Sequence, residues 1–370
     1  MRLQSFELRE FRNHREARLE LRGDSALVLG PNGSGKTNLI EAIVLLSIGR
    51  SFRGARDRAV TRRGAESFEV RGVVGNRLGS RSEIVARGGV GGAREIVVNG
   101  ETLPRLTDLL GRFPTVHFSV EDVAVLNGAP ASRRRFLDAA LCQLEPAYLG
   151  SLRDYVTALK QRNQLLFTER RGTRADEAEW GSWEEILARS GAALDRRRRA
   201  ICDELETTLR DLTDELEPGL LAAVEYRDGL DDSSLSDEDE VSFRRARLAE
   251  GREADRRVGW TMYGPHRGRL RCTIAGEELA DGASRGFSRL YSILLRLALA
   301  RVFEKRQGDP PVVLLDDPES ELDPRWIGRL LGLVPESSQV VVTACRVLSD
   351  IPERFRRVPI ESVALLESAA

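Results

Sequence analysis

A glycine-rich loop early in the chain has the residue types and spacing for phosphate binding. Residues 30–37 read GPNGSGKT and match the pattern G-x-x-x-x-G-K-[ST] at every fixed position. Three glycines let the backbone curl so that N–H groups point at a phosphate, beside the positive end of the following helix. We expect Lys36 to reach the β- and γ-phosphate oxygens and Thr37 to hold Mg²⁺. The predicted nucleotide-binding residues are Gly30, Pro31, Asn32, Gly33, Ser34, Gly35, Lys36, Thr37 and Asn38.

Lysine is so scarce in this chain that a chance match to the pattern is rare. Lys36, Lys160 and Lys305 are its only lysines, and every other member of its 57 basic residues is an arginine. Arginine does not serve easily in such a loop, because the loop needs a compact charge on a flexible stem and not a planar fork. The sequence therefore predicts a nucleotide site built around Lys36.

A second acidic motif near the other end of the chain could complete this site. Residues 312–315 form an apolar strand that ends in Asp316 and Asp317, as in a Walker B element. We expect Asp316 to hold Mg²⁺ together with Thr37. Asp317 is predicted to orient or deprotonate the attacking water, so that Asp317 and Lys36 are the candidate catalytic residues.

The composition fits an intracellular globular protein. Of the 370 residues, 41% are hydrophobic and 31% are charged, and the net charge of −1 gives no general attraction to nucleic acid. No run of eighteen apolar residues occurs, and the charged N-terminus lacks a signal-peptide pattern, so we expect a cytoplasmic protein without a membrane partner. The four cysteines are isolated in sequence, which argues against disulfides and a zinc site.

Hydrophobic periodicity divides the chain into three parts around these motifs. The first part alternates like hairpin strands at 3–11, 17–21, 67–74, 82–86 and 94–98. A region with helical spacing follows, and we expect the acidic residues 231–240 within it to be a solvated connector. Strand and helix patterns then return, with a helix at 290–302. The sequence thus predicts an α/β core built from 1–122 and 263–370, with an inserted helical lobe at 123–262.

The order of the remaining motifs is typical of ABC-type ATPases. Ser284, Arg285 and Gly286 precede the predicted helix, and residues 320–323 (SELD) follow the acidic strand. In that class, the signature serine and helix N-terminus of one subunit close over the γ-phosphate that a second subunit holds. We therefore expect an ATP-dependent homodimer in which this signature acts in trans.

Several stretches along the whole chain resemble the RecF family specifically. They are LREFRN at 8–13, GKTNLIEAI at 35–43, GRSFR at 49–53, FSVED at 118–122, RRRFLD at 133–138, LKQRN at 159–163, GPHR at 264–267 and LDD at 315–317. The resemblance implies an ATPase core similar to ABC proteins and SMC heads, without the long coiled coil. It further implies a weak DNA-dependent ATPase that binds duplex or gapped DNA and helps RecO and RecR to load RecA.

Two departures from the family pattern bear on hydrolysis. Gly268 and Arg269 stand where the family usually has two acids, and Phe287 replaces the usual glutamine of the signature. Either change could slow turnover, so a RecF-like scaffold that does not hydrolyse ATP remains an alternative. A transporter nucleotide-binding subunit is a weaker alternative, because the helical insertion and the RecF-like stretches do not fit it.

A cluster of arginines after the loop's helix is the predicted DNA contact. Its members are Arg50, Arg53, Arg56, Arg58, Arg62 and Arg63, with Asp57 as the one acid among them. Such charges bind phosphates without reading sequence. The runs 133–135 and 196–199 are further candidates, although for the second run we expect a solvated helix face.

Overall fold

The computed structural model describes residues 1–172, 174–228, 236–320, 322, 324–348 and 351–363. The chain forms two compact units. The first, which we call the α/β unit, comprises Met1–Asn127, Thr208–Ala222 and Ile274–Ala370. The second, the helical unit, comprises Gly128–Thr207 and Ala223–Thr273.

The strands and helices follow in chain order. The strands are β1 (Arg2–Phe11), β2 (His14–Glu20), β3 (Ser25–Leu29), β4 (Ser67–Gly75), β5 (Arg81–Gly89), β6 (Glu95–Val98), β7 (Glu101–Thr102), β8 (Thr115–Phe118), β9 (Ala222–Arg227), β10 (Arg269–Ile274), β11 (Glu277–Glu278), β12 (Val312–Asp316), β13 (Val340–Ala344) and β14 (Phe355–Pro359). The helices are α1 (Lys36–Ile48), α2 (Asp57–Val60), α3 (Val120–Asn127), α4 (Pro130–Leu144), α5 (Pro146–Arg170), α6 (Glu177–Leu216), α7 (Asp237–Glu250), α8 (Arg252–Val258), α9 (Arg285–Gln307), α10 (Pro324–Gly332) and α11 (Ile360–Val363). Short 3₁₀ turns cover Leu106–Leu109, Pro265–Arg267 and Leu279–Asp281.

One sheet of the α/β unit is antiparallel and has the order β2-β1-β4-β5-β6-β7. The predicted hairpin strands are confirmed as β1, β2, β4, β5 and β6, and β4 alternates between buried and less buried residues along most of its length. At the turn after β6, Asn99 and Gly100 have positive φ angles of 51° and 85°. These are the residue types that adopt left-handed turns most readily.

The second sheet of the α/β unit is parallel and combines both ends of the chain. Its order is β14-β3-β13-β12-β8, and the pairs recorded within it all run parallel. The strands β12 and β13 are buried throughout, as a parallel sheet covered on both faces requires. The apolar side chains of α1 join one core with both sheets. Because parallel strands end at one edge, the sheet brings the residues after β3, β12 and β13 to the same place.

The helical unit contains most of the long helices, but its limits differ from the predicted 123–262. The last turns of α6 belong to the α/β unit, and the helical unit extends to Thr273. Hydrophobic spacing could not locate this division, because α6 continues through it for 40 residues without a break. The three predicted ranges stay a prediction.

Two details of the helical unit correct the sequence analysis. The acidic residues 237–240 are not part of a connector but form the first turn of α7, capped by Ser236. Acidic side chains are favourable there because they oppose the helix dipole. Residues 231–235 of the predicted connector lie outside the described residues. In α5, the helical spacing of Leu152, Tyr155, Val156 and Leu159 predicts one buried face, yet Val156 is 56% exposed.

The arginine run 196–199 is not a solvated helix face. Arg198 is buried and donates hydrogen bonds to Asp138 and to the hydroxyl of Tyr226. Arg199 forms ion pairs with Asp228 and Glu240. These arginines therefore stabilise the interior of the helical unit, which argues against a DNA contact there. Among the described helices, none is long and apolar enough to cross a membrane.

Candidate nucleotide-binding site

The loop between β3 and α1 requires glycine at specific positions. Gly33 and Gly35 have φ angles of 80° and 102°, a region that other residues rarely adopt. A Cβ on Gly35 would also collide with the side chains of Asn13 and His14. Since α1 begins at Lys36, the first N–H groups of that helix have no partner within it. The loop therefore presents backbone donors of the kind that bind a phosphate.

Lys36 is folded against the loop that precedes it. Its ammonium group donates hydrogen bonds to the carbonyls of Gly30 at 2.6 Å and Pro31 at 2.9 Å. A third contact reaches the sulfur of Cys345 at 3.5 Å. With only 6% of the residue exposed, this charge is held inside the curve of the loop. It is placed to exchange carbonyl partners for phosphate oxygens.

The two predicted metal ligands lie together at the edge of the parallel sheet. Asp316 ends β12 and is 3% exposed, and it accepts a hydrogen bond of 2.6 Å from Thr343. Burial raises the pKa of Asp316, while hydrogen bonds from Thr343 and Thr37 oppose that rise. A carboxylate beside a threonine hydroxyl is a set of hard oxygen donors, which is what Mg²⁺ prefers. These residues thus fit the ion.

Asp317 is held in an uncommon backbone conformation directly beside Asp316. Its φ is 49°, in the left-handed region, where aspartate is tolerated better than most residues. Its N–H donates to Thr343, and its carbonyl accepts a hydrogen bond of 3.1 Å from the buried Arg289. These bonds turn the chain so that the carboxylate of Asp317 contacts the thiol of Cys345.

Several residues that sequence reasoning did not assign to the site support the loop from behind. Asn13 donates to the carbonyl of Ser34 at 3.2 Å and accepts from Asn38 at 2.7 Å. A ring nitrogen of His14 lies 3.1 Å from the carbonyl of Gly35, and burial lowers the pKa of this histidine. Asn13 belongs to the RecF-like stretch 8–13, and this resemblance is the sequence signal that could have assigned it to the site. Its position beside the loop depends on the pairing of β1 with β2.

The predicted signature lies at the exposed start of α9. Ser284 is the N-cap of this helix, and its hydroxyl accepts a hydrogen bond of 3.3 Å from the N–H of Phe287. Arg285 and Gly286 form the first turn, and Phe287 is 36% exposed. The helix therefore begins at the signature itself, five residues before the predicted start at 290. Of the predicted motif after β12, Glu321 and Asp323 lie outside the described residues.

The arginine cluster after α1 divides into two groups. Arg62 is ion-paired with Glu10, and Arg53 donates to Asn38 at 3.4 Å and lies 3.8 Å from both Glu41 and Glu121. The other four are exposed and form no ion pair with any described residue; they are Arg50, Arg56, Arg58 and Arg63. Arg53 thus faces the loop, while this second group faces solvent.

Comparisons with known proteins agree on one family. Residues 2–350 match the family model described as the RecF/RecN/SMC N-terminal domain. The chain is 35% identical over 345 residues to the DNA replication and repair protein RecF of Gloeobacter violaceus, covering 92% of this chain and 91% of that protein. A solved structure of the recombination mediator RecF with ATP, from the RecFOR pathway, is similar with a TM-score of 0.85 and 29% identity. The match covers 97% of this chain and 96% of the solved RecF chain.

An Smc head bound to the C-terminal winged-helix domain of ScpA is similar in fold. Its TM-score is 0.54 at 15% identity, and the match covers 95% of this chain and 92% of that one. The predicted fold class is confirmed by these likenesses: an α/β core of the SMC-head type with an antiparallel sheet, a parallel sheet and a helical insertion.

Proposed function

Since this chain belongs to the RecF family of DNA replication and repair proteins, we propose that it is an ATP-dependent DNA clamp. In this proposal, ATP binds at the loop 30–38 and closes a homodimer on duplex or gapped DNA. The observation that carries it is the assembly of Lys36, Thr37, Asp316 and Asp317 at one edge of the parallel sheet.

Nucleotide binding is the best-supported step. The loop offers unpaired helix N–H groups and a buried ammonium group, both of which favour a phosphate. The hydroxyl of Ser34 is buried and has no hydrogen-bond partner among the described residues, so it is available to a ligand. A solved RecF is described with ATP, and this chain has 29% identity to it.

Thr37 and Asp316 would hold Mg²⁺ through their oxygens. When bound, the ion neutralises charge on the β- and γ-phosphate oxygens. Asp317 would orient the attacking water and accept its proton at a carboxylate oxygen. The geometry of Asp317 supports this role, because two backbone hydrogen bonds fix its main chain. The resulting activity would be a weak ATPase stimulated by DNA.

The signature would act on the nucleotide of a second copy. Ser284, Arg285 and Gly286 lie at the start of α9, where Ser284 and Arg285 are exposed. The loop also has an exposed side at Pro31, Asn32 and Gly33. In a head-to-head dimer, the signature of one copy would face the nucleotide that is bound to the loop of the other copy.

DNA would bind through the exposed arginines Arg50, Arg56, Arg58 and Arg63. These contacts go to the phosphate backbone, so binding should weaken steeply as salt rises. Arg53 is in the same segment and donates a hydrogen bond to Asn38. Asn38 donates to Asn13, and Asn13 donates to the carbonyl of Ser34 in the loop. This chain of contacts offers a path by which DNA binding could reach the nucleotide. RecO and RecR are the expected protein partners, in loading RecA.

One experiment tests the clamp directly. Dimerisation is measured by light scattering, and duplex-DNA binding by fluorescence anisotropy, with ATP, with ADP and without nucleotide. We expect dimers that hold DNA with ATP, but not with ADP or without nucleotide. Lys36→Ala should lower ATP affinity by about ten- to a hundredfold, as the loss of charge-assisted hydrogen bonds implies. Lys305→Ala is the matched control, because Lys305 is exposed in the last turn of α9.

DNA binding that is indifferent to nucleotide would contradict the clamp. The alternative, a scaffold that does not hydrolyse ATP, is motivated by Phe287 in the signature. It predicts ATP-dependent dimers without turnover, whether or not DNA is present. Turnover that Asp317→Asn abolishes would exclude the scaffold, and faster turnover in Phe287→Gln would show that the aromatic residue slows hydrolysis.

A further inference from the structure

Cys345 follows β13 and carries its thiol into the candidate nucleotide site. Within this chain it is the exposed cysteine, whereas Cys142, Cys202 and Cys272 are buried. No cysteine is part of the phosphate-loop or acidic-strand patterns, so these patterns do not predict one here. The parallel pairing of β13 with β3 and β12 brings it between the loop and the acidic residues.

The thiol contacts side chains from two different segments of the site. On the loop side it donates a hydrogen bond of 2.7 Å to the amide oxygen of Asn32 and accepts one of 3.5 Å from Lys36. On the acidic side its sulfur lies 3.6 Å from a carboxylate oxygen of Asp317. The N–H of Cys345 donates to Glu319 at 2.8 Å, which fixes the backbone from which the thiol projects.

A thiol has one proton, so it can donate to only one of these oxygens at a time. In the structure the shorter contact of the thiol is to Asn32, and its sulfur also accepts the longer bond from Lys36, whose shorter bonds go to the carbonyls of Gly30 and Pro31. A phosphate in the loop would compete for Lys36 and would rearrange the exposed Asn32. The S–H group would then be free to donate to Asp317.

We propose that Cys345 is a positioning residue that couples occupancy of the phosphate loop to the carboxylate of Asp317. In the structure the thiol contacts Asn32 and Lys36. With nucleotide bound, it donates to Asp317 and holds that carboxylate towards the attacking water. This inference rests on the proposed function, because it assigns a role within the same site.

The first test follows the thiol itself in the full-length protein. The rate of alkylation by iodoacetamide is measured with and without ATP, and the modified cysteine is identified by mass spectrometry. We expect one cysteine, Cys345, to react in the native protein, and saturating ATP to slow this reaction at least about tenfold. ATP binding is measured separately by calorimetry. If ATP binds and the alkylation rate is unchanged, the coupling is wrong while the clamp stands; if ATP does not bind, the clamp itself fails.

The second test separates coupling from mere proximity. Cys345→Ala removes the donor, whereas Cys345→Ser keeps a donor of similar size. We expect Cys345→Ala to lower kcat about three- to tenfold, the range of one neutral hydrogen bond, with KM for ATP changed less than twofold. Cys345→Ser should recover most of this loss. Equal turnover in Cys345→Ala and the unsubstituted protein would overturn the proposal, even if ATP protects the thiol.

Where turnover is too slow to measure, the same variants are compared by ATP-dependent dimerisation. Asp317 and Cys345 should then be coupled, so that the double variant Asp317→Asn/Cys345→Ala is no weaker than Asp317→Asn alone. Additive losses in the double variant would also overturn the proposal. Cys272→Ser is a control for the general effect of losing a thiol, since Cys272 lies buried in β10 and is not a partner in any of these contacts.

Discussion

At the scale of single residues, position 268 shows how packing can explain a departure from a family pattern. The RecF resemblance leads one to expect an acid after the GPHR motif, and this chain has Gly268. A Cβ there would collide with the ring and hydroxyl of Tyr226, while the carbonyl of Gly268 accepts a hydrogen bond of 2.8 Å from Arg134. The glycine is therefore a consequence of close packing inside the helical unit. Slower hydrolysis is not needed to explain it.

This packing predicts a large effect from one added methyl group. Gly268→Ala should destabilise the protein by about 1–3 kcal/mol, because the backbone or Tyr226 must move. Thermal or urea unfolding measures the change. Gly181→Ala is the matched control within α6, since a Cβ there meets nothing within 4 Å, and it should be neutral or slightly stabilising. Equal effects of the two substitutions would show that Tyr226 does not restrict position 268.

At the scale of elements, Glu41 joins α1 to both neighbouring segments. Its carboxylate is fully buried and accepts two hydrogen bonds from Arg12, at 2.6 and 2.8 Å. It also accepts one from Ser51, in the segment that carries the arginine cluster. One carboxylate thus fixes the β1–β2 turn and the segment after α1 around the helix that begins at the phosphate loop.

Removing the charge of Glu41 should destabilise the α/β unit strongly. Glu41→Gln leaves the partly buried Arg12 without its counter-charge, and breaking such a pair costs about 3–5 kcal/mol. Urea unfolding is the measurement. Glu121→Gln is the control, because the Glu121 side chain is 60% exposed and lies 3.8 Å from Arg53, so it should change stability by less than about 1 kcal/mol. A Glu41→Gln variant as stable as the control would refute this account.

At the scale of the whole molecule, the histidines make stability depend on pH. The chain has three, and burial lowers the pKa of each one: His14, His117 and His266. At His266 burial outweighs the hydrogen bond to the carbonyl of Thr261, which opposes the lowering of the pKa. The ring nitrogens lie 2.6 Å from the hydroxyl of Tyr155 and 2.9 Å from the carbonyl of Thr261. A neutral ring satisfies both partners.

The contribution of the three histidines to the unfolding free energy should therefore fall as the solution is acidified below about pH 6.5. In that range the unfolded chain binds protons that the folded histidines do not, so acid favours unfolding. Each histidine contributes up to about 1.4 kcal/mol per pH unit between its lowered pKa and the ordinary value. Urea unfolding at several pH values measures this slope. His266→Gln should make it shallower, and an unchanged slope would mean that His266 does not contribute.

The local parts of the site could be predicted from short stretches of residues. The loop 30–37, the acidic strand end at Asp316 and Asp317, and the hairpin strands are encoded in neighbouring residues, because glycine backbone freedom and side-chain alternation act over short distances. The signature at Ser284 and the RecF resemblance were also evident from neighbouring residues. All of these patterns could be identified before any contact was known.

The residues that surround the loop could not be predicted in this way, because they come from segments far apart in the chain. Asn13, His14 and Cys345 contact the loop although they are distant from it in sequence, and no local pattern specifies such contacts. Thr343 reaches Asp316 in the same way, through the pairing of β13 with β12. The arginine runs were ambiguous for the same reason. A charged residue on an amphipathic helix can face solvent, DNA or a buried acid. The partner of Arg198 is Asp138, which is distant in sequence, so the ion pair can be identified only in the folded structure.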